Sequence, residues 1–306
     1  MHGAGHDPSG SSYFCVGHAS TAQGAHQAWR APGAEAPAWI CGPRLTAVPE
    51  IHAAEELAAQ LRSTWLGLDE NDPVDPVDAC ERLGVALAER PRKAPGGQLQ
   101  GSLMPLSSNS FEIEVDANPH DGWVTLEGQL RDEVLRHRFR FLVMHELAHT
   151  LFYEPGEQRP KRLLHASAEQ EAFCDRLAGA MLVPPDVARR KPIHPSSILE
   201  LHRQFDVSIE VAARSLVSAY GDAPLCWLLL RNPEGSPSIQ WRPPRAMAAR
   251  RPWATLEELL GQLGSSKDQT ASSQMHWRRG GPTTAHALLL SERRQIVVTA
   301  APPSTD

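Results

Sequence analysis

From Phe139 to Phe152 the chain reads Phe-Arg-Phe-Leu-Val-Met-His-Glu-Leu-Ala-His-Thr-Leu-Phe, and few folds accommodate two histidines and a glutamate in so apolar a run. The apolar spacing predicts a buried helix. On a helix, residues four apart lie on one face a turn above each other, so His145 and His149 can reach a single point with Glu146 beside it. Imidazoles in an apolar wall cost free energy unless something bonds them. One reading satisfies them with backbone carbonyls inside a core helix. The other binds zinc, which accepts neutral imidazole nitrogen and, with three protein ligands, keeps its fourth position for water.

A third ligand is expected downstream on a separate helix. Ser167-Ala-Glu-Gln170 fits a capping box, and Glu171-Ala-Phe-Cys-Asp175-Arg-Leu-Ala-Gly-Ala-Met-Leu-Val then runs to Pro184-Pro185, which ends the helix. Glu171 and Asp175 fall one turn apart on one face. Glu171 is the expected ligand. Asp175 is expected behind it, accepting the second ring N–H of His145 and so fixing its tautomer. Glu169 is the competing ligand, but it points about 200° around the helix from Glu171. Cys174 reads as a packed core thiol. Without a metal, the two acids would be a solvated first turn favoured by the helix dipole.

Arg138-Phe-Arg140-Phe-Leu-Val-Met-His145-Glu-Leu-Ala-His149, followed by Glu171-x-x-Cys174-Asp175-x-Leu-Ala178-x-x-Met-Leu-Val-Pro184, resembles the ImmA/IrrE metallopeptidases over about residues 55 to 220. Leu177 stands where the family usually has phenylalanine. Both tails are unlike those of the short phage or mobile-element members. The resemblance implies that His145, His149 and Glu171 hold Zn2+ and that Glu146 is the catalytic base. The four-residue step from Glu171 to Asp175 also resembles the thermolysin-like zincins, where that aspartate supports a ligand histidine. The implied activity is limited proteolysis of a helix-turn-helix transcriptional repressor in a stress or mobile-element response. The implied fold is α+β, a mostly helical zincin-like core with a small sheet beside the active helix.

In that chemistry zinc lowers the pKa of water and polarises a peptide carbonyl, while Glu146 moves the proton. A developing oxyanion wants a second donor. Tyr153, His165, Arg203 and Arg214 are all candidates, and the residues alone select none of them.

At 306 residues the chain can bury a sizeable core, and its net charge of −6 with interspersed signs makes no case for direct binding to nucleic acid or an anionic membrane. Cys15, Cys41, Cys80, Cys174 and Cys226 show no paired spacing, which fits reduced thiols and a cytoplasmic protein. There is no apolar run of roughly 20 residues and no export-type leader, so neither a membrane span nor secretion is expected.

Three regions follow. Residues 1–48 are rich in Gly, Ala, Ser, His and Pro and read as a flexible extension, its scattered His2, His6, His18 and His26 lacking any metal-binding spacing. Residues 49–221 are the metallopeptidase-like domain. Within it, Ile51 to Trp65 carries helical periodicity and Pro73–Ala86 reads as a turn and short helix ending at Gly84. Gln98–Met104 and Phe111–Asp116 alternate like strands, and an edge strand there could pair with an extended substrate. Ser196–Leu216 divides into two helices at Asp206–Ser208, a helix-turn-helix-like pair with too little basic surface for DNA. That pair motivates the alternative, a DNA-binding or scaffolding regulator with a structural or vestigial metal site. Residues 222–306 read as a small α+β region, with strands at Leu225–Leu230, Ala287–Leu290 and Gln295–Thr299 and a short helix at Thr255–Leu260. Trp277-Arg278-Arg279 reads as an exposed loop.

Overall fold

The computed structural model describes residues 44–50, 53–91, 100–106, 110–117, 133–221, 225–231, 237–241, 249–250, 252–265, 269–277, 282–290 and 295–300. The N-terminal extension up to residue 43, with its four histidines, Cys15 and Cys41, and Arg278-Arg279 lie outside these. The architecture is α+β. The chain divides into two compact units, one containing residues up to Pro49 and Asp75–Cys174, the other Glu50–Val74 and Asp175–Asp306.

In the first unit α2 (Pro76–Leu83) opens on Asp75, whose carboxylate accepts the Val77 N–H, and closes on Gly84 at φ 68°; α1 (Ala53–Gln60) belongs to the other unit. That left-handed position favours glycine because it has no Cβ. Three strands follow, β1 (Val85–Pro91), β2 (Gly101–Pro105) and β3 (Phe111–Ala117), ordered β1-β3-β2 with β1 parallel and β2 antiparallel to β3. Strand β1 is not evident in the sequence, whose short alanine-rich run after Gly84 lacks the β-branched signal. Phe111, Ile113 and Val115 on central β3 are fully buried.

Helix α3 (Glu133–His149) packs on β2 and β3. Its last turns are buried nearly all round, Val143, Met144, Glu146, Leu147, Ala148 and His149 included, as expected of an internal helix. Thr150 ends it by donating its hydroxyl to the Leu147 carbonyl, and a tight turn over Thr150–Phe152 leads into a two-residue hairpin, β4 (Tyr153–Glu154) with β5 (Lys161–Arg162). Helix α4 (Ala168–Leu182) begins where Ser167 accepts the Gln170 N–H, at 3.2 Å. The Gln170 side-chain carbonyl accepts from Arg162 at 3.3 Å.

In the second unit α1 (Ala53–Gln60) continues through a wider π-type turn, Leu61–Trp65. Buried Arg62 donates there to the carbonyls of Met181, Asp69 and Asp72. Helices α5 (Pro185–Arg189), α6 (Pro195–Phe205) and α7 (Ile209–Ala219) follow, the last two joined through Asp206 at φ 49°. A six-stranded antiparallel sheet then runs β7 (Pro237–Trp241), β6 (Leu225–Arg231), β11 (Gln295–Ala300), β10 (Thr283–Leu290), β9 (Thr270–Trp277), β8 (Ala249–Arg250). Helix α8 (Pro252–Ser265) sets Leu256, Leu259 and Leu263 on Trp227, Leu229, Ala285, Ala287, Val298 and Ala300. The opposite face carries buried Cys226, Leu228, Val297 and Thr299, and α6 and α7 contact strands β6, β10 and β11. Burial on both faces explains the near-continuous apolar runs of β6 and β11.

Candidate metal centre

Three side chains from two helices converge within the first unit. The Nε2 atoms of His145 and His149 lie 3.1 Å apart. Glu171 Oε2 lies 3.2 Å from the first and 3.4 Å from the second. Two ligands held about 2.0–2.2 Å from a tetrahedral zinc are separated by roughly 3.3–3.6 Å. The donor triangle therefore has the size and the imidazole, imidazole, carboxylate chemistry of a three-ligand zinc face, and all three atoms belong to a group able to hold a metal ion.

Local sequence explains the convergence. The i, i+4 step on α3 brings the two rings together edge to face, with centroids 4.9 Å apart at 74°. The turn after His149 reverses the chain, and the cap at Ser167 starts α4 so that Glu171 falls in its first turn. Phe152 and Phe173 meet edge to face at 6.0 Å and lock the helices together.

Burial sets the electrostatics. His149 titrates below its ordinary value because of desolvation first and the neighbouring His145 second, with Arg162 adding to the effect and Glu171 opposing it. It is thus neutral at physiological pH, the form that ligates metal. Glu146 is 8% exposed, and its carboxyl is pushed up by desolvation; His145 and a hydrogen bond from Leu103 N–H pull it down, while Glu171 pushes it up.

Glu169 is not in the triangle. It is exposed, and bonds from its own N–H and the Ser167 hydroxyl hold its carboxyl below the usual range, so it belongs to the solvated first turn. Asp175 lies on the exposed side of α4. A contact on the far side of the second imidazole runs from Cys174 Sγ to His149 Nδ1, at 3.5 Å between buried side chains. Among the oxyanion candidates, Tyr153 is buried against Phe111, with ring centroids 5.1 Å apart, and carries the Arg162 guanidinium over its ring. His165 is exposed, and Arg203 and Arg214 belong to the other unit. Sequence reasoning passed over Leu103 and Arg162. Neither a backbone amide nor a two-residue hairpin leaves a periodic signal.

The helix-turn-helix-like pair is packed on one side. Helix α7 buries Ile209, Val211, Ala212, Ala213, Leu216, Val217 and Ser218. Its Arg214 pairs with Glu210 and stacks on Trp241.

No protein-family model matches the chain, and no curated protein does. Among solved structures it is similar to a Mycobacterium tuberculosis transcriptional regulator, at 13% identity and a TM-score of 0.45 over 81% of this chain and 87% of that one. Among the described residues no helix is long and apolar enough to cross a membrane.

Proposed function

We propose that the protein is a zinc-dependent endopeptidase that cuts a helix-turn-helix transcriptional repressor at a limited number of sites. The observation that carries the hydrolytic part is the donor triangle of 3.1 to 3.4 Å with a buried carboxylate, Glu146, on the same helix turn. A structural site requires ligands but no general base. The repressor substrate rests on the resemblance of the two motifs to the ImmA/IrrE metallopeptidases.

His145, His149 and Glu171 would hold the ion. A bound zinc supplies polarisation of the peptide carbonyl and a lower pKa for water. Glu146 takes a proton from the attacking water on its carboxylate and passes it to the departing amine nitrogen. Its desolvated carboxyl titrates closer to neutrality than an exposed glutamate, which suits both transfers.

Strand β2 supports an extended substrate. The Leu106 N–H donates to the Ser110 carbonyl at 2.9 Å, and antiparallel alternation then turns Met104 and Ser102 toward β3. The backbone groups of Gly101, Leu103 and Pro105 face away from it. Pro105 therefore costs the ladder no bond; with the Leu103 N–H held by Glu146, the Gly101 N–H and the carbonyls of Gly101, Leu103 and Pro105 would pair with an arriving peptide backbone.

The test is incubation of zinc-loaded protein with a repressor encoded beside its gene, comparing wild type with Glu146→Gln by mass spectrometry of the products. A cut made by wild type alone supports the proposal; no cut, or equal cutting by both, overturns it.

A further inference from the structure

One turn of α4 holds both ends of a single imidazole ring. Glu171 and Cys174, three residues apart on that helix, lie on one face. Glu171 Oε2 is 3.4 Å from His149 Nε2, and Cys174 Sγ is 3.5 Å from His149 Nδ1. The ring and the thiol are both buried, Cys174 completely.

From this grip we infer that Cys174 is a positioning residue for His149, a two-way hydrogen-bond partner that lets the ring exchange tautomers as metal binds. The inference rests on the metal centre proposed above. A neutral imidazole carries one proton. Without metal, Nε2 lies 3.1 Å from His145 Nε2 and 3.4 Å from the Glu171 carboxylate, so a proton on Nε2 has an acceptor in either, and Nδ1 then accepts from the Cys174 thiol. With metal, Nε2 must present its lone pair. The proton then sits on Nδ1 and is donated to the Cys174 sulfur, whose own S–H turns aside. The imidazole and the thiol each keep one proton throughout. A carboxylate or carbonyl behind the ring could only accept, and would favour the metal-bound tautomer alone. A thiol donates weakly and accepts weakly, so it serves both states.

The experiment uses the full chain with Zn2+ and Co2+ as probes and compares wild type, Cys174→Ser and Cys174→Ala, with circular dichroism confirming that each folds. Zinc affinity is read by competition with a chromophoric chelator, and the His149 ring nitrogens by 15N NMR in both states. Cys174→Ala is expected to bind zinc at least about ten-fold more weakly, whereas Cys174→Ser, whose hydroxyl also donates and accepts, retains most of the affinity. Wild type and Cys174→Ser are expected to shift the ring proton from Nε2 to Nδ1 on metal binding. Unchanged affinity in Cys174→Ala, or an unchanged tautomer in wild type, overturns the inference while leaving the metal centre standing. A thiolate-to-cobalt charge-transfer band lost in Cys174→Ser overturns it too, by making Cys174 a ligand. Failure of wild type to take up either ion overturns the metal centre and the inference together.

Discussion

The Glu146 carboxylate takes the backbone N–H of Leu103, joining helix α3 to edge strand β2. That bond ties the proposed proton carrier to the strand edge proposed above for substrate. A carboxylate can accept there while its other oxygen remains for water.

Glu146→Gln keeps an acceptor for Leu103 and removes the base. Turnover of the repressor is expected to fall by about 10²- to 10⁴-fold with zinc content unchanged, measured by product formation and metal analysis on the same samples.

The same substitution has a stability signature in metal-free protein. Burial raises the Glu146 carboxyl in the folded state, so its ionisation opposes folding once pH exceeds the unfolded value of about 4.3. Glu146→Gln is expected to be more stable than wild type to urea at neutral pH. The gap should close as pH drops through the carboxylate range; a constant gap would assign it to packing.

His149 carries the opposite sense. Its folded-state pKa is depressed by desolvation, so the unfolded chain takes the proton more readily. The stability this group supports is complete above the unfolded value of about 6.5 and is lost as pH falls toward the folded one. Urea midpoints of metal-free wild type should decline in that window, and His149→Gln should flatten the decline.

Gly101 on β2 lies close against Leu142 of α3. A Cβ there would stand 2.8 Å from Leu142 Cγ and 3.0 Å from its Cδ2. Gly101→Ala should cost about 1–3 kcal/mol in denaturant unfolding, and adding Leu142→Ala should return part of that loss. Additive losses would place the strain elsewhere.

Arg62 is 3% exposed and ties three loop and helix carbonyls together. Desolvation lowers its pKa to about 10, so it remains charged at neutrality. Arg62→Met leaves those acceptors without their donor and should destabilise the fold by about 3 kcal/mol, read from the urea midpoint.

Much of the centre was legible along the chain because it depends on local geometry. Helical spacing alone brings His145 and His149 together, and a serine cap with a proline stop bounds α4, so Glu171 could be named before any contact was known. The same local rules found Gly84 at the end of α2 and Asp206 between α6 and α7. They could not find β1, whose pairing with β3 is nonlocal, or the strands β7 and β9, whose polar residues carry little alternation.

Spacing of 3.6 residues per turn thus decides which side chains share a helix face, and that follows from covalent geometry. Which partner meets the far side of an imidazole depends on how two helices pack against each other, and Phe152 against Phe173 is one of the contacts that join these segments. Asp175 and Cys174 differ by one position, about 100° of helix rotation. Tertiary packing brought the thiol to His149 and the Leu103 amide to Glu146, because those contacts join segments distant in sequence whose approach is set by close packing of the whole core.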